Sequence, residues 1–504
     1  MNVLYYFEMN ARKTPNKEAL KTENTSYTYD DINNDANKVA RGLKENGVKQ
    51  GDHVVLYLPN GYHFVVAYFG VLKLGAIVTP INTKLTTSEV NYILDDSNAS
   101  AFLTVGKLMN QAEGIHFNGI KATTETNQSG WLRLENWLER EDSTFSTVDT
   151  TESDYSTLLY TSGTTGKPKG VLLTNRNVLA VAQMIGIEME LNTSARTLLM
   201  MPLSHSAPLN LFFVSTMIVG GTAITREEFH PLELLKVVES EKITHFFGAP
   251  VAFLFAAKLL EQHTFDLSSM KRWVYGGAPI SPREVTFIEK QFKTDRLTAV
   301  YGLTEGGPSG TLLRPEEHKR KAGSIGKNAC LYTEIKIIDE QGHEVATNEV
   351  GEIVIRGLGV MDKYYNREKD TEDTFIDGWL RTGDLGRRDE DGYFWAVDRV
   401  KDVIFSGGVN IFPFEVGQAL MAYPTFNEVA VVGVPHPEWG ETVKVFYVSE
   451  TEVDEQEVRD FFKNKLADYK MPRIFEKIDA LPRNVTGKVL KHKLRGKGEA
   501  NAQV

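Results

Sequence analysis

The chain has 504 residues, 41% hydrophobic and 24% charged, which is a globular composition too long for one ordinary core; at least two compact domains are expected, and a disordered tail or a fibre is excluded. With 56 Lys and Arg against 67 Asp and Glu, the net charge of -11 disfavours a broad grip on nucleic-acid phosphates, so an anionic ligand must be held locally. Cys330 has no cysteine partner for an internal disulfide or a structural zinc site, which fits a reducing compartment.

Met1 to Thr22 carries Glu8, Arg12, Lys13, Lys17 and Glu18 where a signal peptide needs an unbroken apolar run. Ser26 to Tyr29 is β-rich, and from Asp30 to Asn46 the apolar residues Ile32, Ala36, Val39, Ala40 and Leu43 recur at helical spacing. His53 to Leu58 reads as a strand, Tyr62 to Leu74 as a helix stopped by Gly75, and Ala76 to Thr79 as another strand. This alternation predicts an α/β fold of parallel sheets with helices on their faces. The longest apolar stretches, Phe64 to Leu72 and Leu211 to Gly221, fall short of the roughly 20 residues that span a bilayer. A soluble, cytoplasmic chain is the expectation.

From about Ser324 the texture changes to a β-rich subdomain: Tyr332 to Ile338 alternates, Asp339 to Gly342 is a turn, and Gly351 to Arg356 is a further strand. After Asp398 a shorter α+β pattern begins, with a strand at Val429 to Val434 and a helix at Asp454 to Leu466. Residues 399–504 carry as many acidic as basic side chains, so the charge deficit lies upstream, and the end is basic through Lys488, Lys491, Lys493, Arg495 and Lys497. We expect a large domain over 1–398 and a small one over 399–504.

The most distinctive segment follows the apolar strand Thr157 to Tyr160. Thr161, Ser162, Gly163, Thr164, Thr165, Gly166 and Lys167, with Pro168, Lys169 and Gly170, crowd hydroxyls, glycines and lysines into one loop. Glycines let backbone N–H groups converge on anionic oxygens, hydroxyls add neutral donors, and lysines add point charge, so the loop suits a polyphosphate. It is not a Walker A loop: two residues rather than four separate Gly163 from Gly166, and Pro168 cannot continue the helix such a loop opens. A flexible Gly/Ser/Thr linker is the plain alternative.

This loop resembles the phosphate loop of the adenylate-forming superfamily: acyl-CoA synthetases, peptide-synthetase adenylation domains and luciferases. The segments Gly276-Gly277-Ala278-Pro279, Tyr301-Gly302-Leu303-Thr304-Glu305, Gly378 to Asp384, Asp398 to Asp402 and Pro482 to Lys488 resemble its other signatures, in order. The N-terminal third is similar mainly through Leu74 to Pro80. The fold implied is a large N-terminal domain of two doubly wound α/β sheets plus a β-rich subdomain, with a small mobile α+β C-terminal domain.

The resemblance implies ATP-binding roles for the loop residues Thr161 to Lys167, for Gly276, Gly277, Ala278 and Pro279, and for Tyr301, Gly302, Thr304, Glu305, Asp384, Arg399 and Lys488. The residue types agree. Paired glycines let a flat base lie against backbone, Tyr301 offers a ring on which a purine stacks, and Asp384 can accept both hydroxyls of a ribose with Arg399 beside it. Glu305 is a hard ligand for Mg²⁺, with Thr161 as its hydroxyl companion. Lys488 is implied as the catalytic lysine, because one ammonium touching both carboxylate and α-phosphate offsets their repulsion. Lys401 is implied as the hinge of the small domain, and Gly407 and Gly408 as the lining of a CoA tunnel. His205, Phe247, Gly248, Gly302 and Gly307 are implied as the acyl pocket, and His205, Thr161 and Glu305 join Lys488 as the implied catalytic residues. Singly, each of these also has an ordinary account: a strand-ending turn, a satisfied core histidine, a solvated surface charge.

Three positions depart from the family pattern. Ser204 stands where an aromatic is common, Lys363 where glycine precedes Tyr364-Tyr365, and Lys491 where arginine is common.

The expected activity is that of an AMP-forming carboxylate–CoA ligase, with ATP and CoA as co-substrates and Mg²⁺ as cofactor. The predicted walls, Phe246 to Pro250 and Gly306 to Leu313, are small or apolar and hold no cation for a second carboxylate, so a medium- or long-chain fatty acid is expected. Each buried methylene contributes roughly 0.8 kcal/mol. The alternatives are an arylcarboxylate–CoA ligase, a stand-alone adenylation enzyme loading a carrier protein, and a non-catalytic ATP or acyl sensor. No carrier domain pattern follows Lys488, which favours CoA. Peripheral membrane contact and a homodimer are compatible with the sequence.

Overall fold

The computed structural model describes residues 1–112, 114–125, 128–161, 167–463, 465–483 and 489–499, with side chains to 495, and all counts are of these residues. Four β-sheets organise the fold.

The first sheet has nine strands, ordered Asn328–Ala329, Thr311–Leu313, Leu297–Tyr301, Arg272–Gly276, His245–Gly248, Arg196–Leu199, Thr222–Thr225, Glu18–Lys21 and Ser26–Thr28. Its central six strands are parallel and its two ends antiparallel. The second sheet has eight, ordered Lys363–Tyr364, Lys169–Thr174, Tyr155–Thr161, Ile77–Pro80, His53–Leu56, Ala101–Leu103, Ile120–Thr123 and Leu132–Arg133. The strands His53–Leu56, Ile77–Pro80 and Thr222–Thr225 are buried at every position, as strands covered on both faces are, so their burial does not alternate.

Helix starts follow the side chains available. Thr28 with Asp31, Thr86 with Glu89, Thr174 with Asn177 and Ser281 with Glu284 each form a reciprocal capping box, satisfying orphan N–H groups at the first turn. The helix expected from Asp30 runs Tyr29–Glu45, and the one expected from Tyr62 runs Tyr62–Lys73. Phe64 to Leu72 therefore lies within a buried twelve-residue helix, and no helix among the described residues is long and apolar enough to cross a membrane.

The third sheet is antiparallel: Thr333–Ile338, Gly351–Gly357, Trp379–Arg388 and Phe375–Ile376, with Phe394–Arg399 paired to Trp379–Arg388. This is the expected β-rich part. The strand Phe394–Arg399 stays paired to its last residue, through a register shift between Leu385 and Gly386, with Arg399 opposite Asp384. A helical turn, Val400–Asp402, follows, and the chain enters the fourth sheet: Val409–Ile411, Ile404–Ser406, Gly440–Val448 and Glu428–His436, with Ile474–Lys477 parallel to Gly440–Val448. That smaller C-terminal part has its own core around Ile404, Leu420, Val445, Val458 and Phe462, whereas one large core joins the first three sheets. The fold is mixed α/β, with a large part built on parallel sheets and a smaller C-terminal part.

Candidate active site

The carboxyl ends of the parallel strands are where an open α/β sheet leaves a crevice. Thr161 ends a strand of the second sheet, and Gly248, Gly276 and Tyr301 end strands of the first. Three sheets meet there. The Thr161 hydroxyl faces Glu305 Oε1 at 3.4 Å, and the Tyr301 hydroxyl donates to Asp384 Oδ2 at 2.9 Å. Arg399 Nε lies 2.8 Å from Asp384 Oδ1.

Asp384 is buried at 8% exposure, yet its carboxylate is fully accommodated. Tyr301 takes one oxygen, Arg399 the other, and the Thr382 hydroxyl accepts from the Asp384 N–H at 3.1 Å. A carboxylate has about four lone-pair sites, so roughly two remain for other hydroxyls. Burial, and then the Asp384 charge, hold the Tyr301 phenol well above its usual range, so it stays a neutral donor.

Glu305 sits in the helical turn Thr304–Gly306, closed by Gly307 at φ 68°. Its Oε1 also accepts from the Tyr364 hydroxyl at 2.9 Å. Burial and the Glu305 charge push that phenol well above its ordinary value. No group of three or more His, Cys, Asp or Glu that could hold a metal occurs among the described residues. One carboxylate with one hydroxyl fits a divalent cation that takes its remaining ligands from phosphate and water, which is the habit of Mg²⁺ rather than of a metal in a protein cage.

Ser162, Gly163, Thr164, Thr165, Gly166 and Lys488 lie outside the described residues. The two ends of the first of these loops are anchored by a network that no sequence pattern announced. Tyr160 donates to Asp96 at 2.8 Å, Arg367 pairs with the other Asp96 oxygen at 2.8 Å, and Tyr92 reaches the Pro168 carbonyl at 3.1 Å. The exposed Lys167 ammonium stands 5.6 Å from the Tyr92 ring centre. Tyr364, Arg367 and Asp96 were thus missed, since Tyr364 meets Glu305 across 59 positions and Arg367 meets Asp96 across 271.

His205 is half-buried, with Asn82 Nδ2 3.3 Å from its Nε2. The Asn82 oxygen is occupied by the Lys84 N–H at 2.8 Å, so the amide turns its NH₂ to the ring and selects the neutral tautomer protonated at Nδ1. Burial lowers the His205 pKa to about 4. The chain then enters a π-helix, Ala207–Val214, a rare form often found beside functional sites. Phe247 stacks on Phe212 with ring centres 5.2 Å apart. No contact joins His205 directly to the Glu305 cluster among the described residues.

The glycines of the expected acyl pocket are closely packed on their Cβ side. A Cβ on Gly302 would lie 2.3 Å from the Pro308 carbonyl, one on Gly307 2.3 Å from that of Gly359, and one on Gly248 3.1 Å from Phe246. They permit close backbone packing rather than open space. Gly276 is likewise pressed against the Val300 carbonyl, while Gly277, at φ 78°, turns the chain toward Ala278 and Pro279 with nothing near its Cβ position. Gly407 and Gly408, both at positive φ, form the two-residue turn between Ile404–Ser406 and Val409–Ile411, and both are exposed. Lys401 is exposed in the turn after Arg399.

The chain matches the AMP-binding enzyme model over residues 7–365 and the AMP-binding enzyme C-terminal domain over residues 415–488. It is 32% identical over 500 residues to the long-chain-fatty-acid–CoA ligase FadD13 of Mycobacterium tuberculosis, covering 98% of each chain. It is 34% identical over 491 residues to a feruloyl-CoA synthase of Amycolatopsis sp, covering 96% of each. The crystal structure of the anthranilate CoA ligase AuaEII in complex with anthranoyl-AMP superposes with a TM-score of 0.92 at 27% identity, over 100% of this chain and 98% of that one. With a family match over most of its length and a site assembled from the family's motifs, this chain belongs to the AMP-binding enzyme family, within the adenylate-forming superfamily.

Proposed function

We propose that the chain is an AMP-forming carboxylate–CoA ligase that activates an acid with an apolar tail, a medium- or long-chain fatty acid in the first instance. The supporting observation is the convergence of Thr161, Glu305, Tyr301, Asp384 and Arg399 from three sheets into one contact set. In the first step the carboxylate oxygen attacks the α-phosphorus of ATP, forming the acyl-AMP bond and expelling pyrophosphate. In the second, the CoA thiol loses its proton and attacks the acyl carbon, giving the thioester and AMP.

The residues divide the work by chemistry. Asp384, with lone pairs left after Tyr301 and Arg399, receives the ribose hydroxyls. Glu305 and Thr161 would hold Mg²⁺ against the phosphates, where it would supply charge neutralisation. Lys488 carries the ammonium that meets the attacking carboxylate and the α-phosphate. The second step needs an open path for pantetheine, which a rotation of the C-terminal part at Lys401 provides, bringing the Gly407-Gly408 turn to that path.

An aryl acid is the second reading. It is favoured by the stacked Phe212 and Phe247 rings and by the close packing at Gly302 and Gly307, which suit a flat, short tail. Relatives named for both chemistries exist at similar identity. The test is ATP–pyrophosphate exchange over dodecanoate, palmitate, ferulate, anthranilate and malonate, followed by thioester detection with CoA. Exchange fastest with dodecanoate or palmitate supports the first reading, ferulate or anthranilate the second. Exchange with malonate alone would overturn both, and exchange without thioester formation would point to a carrier-protein acceptor.

A further inference from the structure

The helix Pro413–Leu420 begins without a cap of its own: Phe412 stands at the N-cap, and no side chain of that segment meets its first N–H groups. The partner comes from the other side of the Val400–Asp402 turn. Asp398 Oδ2 accepts the Phe414 N–H at 2.7 Å, and the Asp398 side chain is only 4% exposed. Lys491 Nζ lies 3.7 Å from Asp398 Oδ1 and 3.9 Å from Asp402 Oδ2, and Arg495 pairs with Asp402 at 3.0 Å. The Arg495 guanidinium also reaches the Lys401 carbonyl at 3.5 Å.

Two of these contacts, Asp398 to Phe414 and Asp398 to Lys491, connect the last strand of the third sheet to the C-terminal part across Lys401. A rotation at Lys401 breaks both: among the described residues the Asp398 carboxylate keeps only the Arg399 N–H at 2.8 Å, and the helix N-terminus loses its one side-chain partner, which is costly for each. The exposed Gly408, with nothing within 4 Å of its Cβ position, stands in open space, so these contacts form while the Gly407-Gly408 turn is outside any narrow thiol path.

We infer that Asp398 is a positioning residue for adenylation: it latches the C-terminal part through Phe414 and Lys491 in the pose that precedes thiolation, and it must let go before the thiol can attack. The inference rests on the two-step reading above. It goes beyond the hinge itself by naming what holds the hinge closed.

The experiment compares Asp398→Asn, Asp398→Ala, Lys491→Met and Lys491→Arg with the native full-length chain. Pyrophosphate exchange reads the first half-reaction, and thioester formation from supplied acyl-AMP the second, using whichever of dodecanoate and ferulate exchanges faster. Asp398→Ala is expected to lower exchange about tenfold or more with KM for ATP within about twofold, while thiolation is retained or accelerated. Asp398→Asn, which can still accept from Phe414, and Lys491→Met are each expected to lose less, and Lys491→Arg to stay near native. Hydrogen exchange without substrate gives an independent reading: the Phe414 amide should exchange at least about tenfold faster in Asp398→Ala, with Glu428–His436 unchanged. Equal loss in both half-reactions, or unchanged Phe414 protection, would overturn the latch. Should Asp398→Ala fail to fold, Lys491→Met decides by the same split. Lys488→Ala run in parallel separates the two levels: if it too spares neither step or harms neither, the two-step reading fails, whereas a selective Lys488→Ala beside a non-selective Asp398→Ala sinks the latch alone.

Discussion

The Tyr364 hydroxyl donates to Glu305 Oε1 at 2.9 Å, the same oxygen that faces Thr161. Tyr364 is held in the edge strand Lys363–Tyr364, paired to Leu172 and Val171 of the strand Lys169–Thr174, so the carboxylate is oriented from the edge of the second sheet. Removing a hydrogen bond to a charged group costs about 1.5–3 kcal/mol, and a half-buried partner places the effect at the lower end. Tyr364→Phe should therefore slow pyrophosphate exchange about tenfold and raise the Mg²⁺ concentration needed for half-maximal rate. Titrating Mg²⁺ at fixed ATP checks this, and a loss that excess Mg²⁺ leaves untouched would contradict an orienting role.

At Gly408, two effects of substitution separate. Its φ of 82° penalises any β-carbon by about 1–2 kcal/mol, whereas asparagine tolerates that conformation. Gly408→Asn should fold normally, and Gly408→Leu should lose a little thermal stability. If the turn enters the thiol path, Gly408→Leu lowers thiolation from acyl-AMP at least about tenfold, Gly408→Asn less, and both keep pyrophosphate exchange. Native thiolation in a folded Gly408→Leu chain would remove this turn from the CoA path.

Lys401→Pro tests the rotation directly. Proline fixes φ near about −65°, the range a helical turn such as Val400–Asp402 uses, and so restrains rotation at this position in the observed pose. The frozen variant should keep exchange, accumulate bound acyl-AMP and release little acyl-CoA, while Lys401→Ala, which leaves the backbone free, should behave as native. Single-turnover assays of both half-reactions measure this, and near-normal rates in both would show that rotation at Lys401 is not required.

Buried histidines predict a specific acid sensitivity. Burial lowers His53 and His245 to about 4 from an ordinary 6.5, and the two rings are 6% and 0% exposed. Between those values the unfolded chain binds protons that the folded one does not, so stability falls as pH drops from 6.5 toward 4 and these groups add no further loss below it. Each contributes a slope of about 1.4 kcal/mol per pH unit in that window. His63, His205 and His318 shift in the same direction. Urea midpoints at pH 7, 6 and 5 should fall, and His245→Gln should flatten the trend. A midpoint independent of pH over this range would contradict the burial of neutral rings.

The fold class was legible because it depends on local periodicity. Ile32 through Leu43 at helical spacing gave Tyr29–Glu45, and the unbroken apolar run at His53 gave a strand covered on both faces. Glu305, Asp384 and Thr161 stood out in the sequence through the family motifs they belong to. What they touch was decided only by tertiary structure. Tyr364 meets Glu305 across 59 positions and Arg367 meets Asp96 across 271, and no local pattern encodes such pairings, because they follow from strand order and crossover geometry. The glycines show the same division: the sequence determined that positions 302 and 307 lack a side chain, but whether that absence makes a cavity or admits a neighbouring backbone depends on which segment packs there, and Pro308 and Gly359 do.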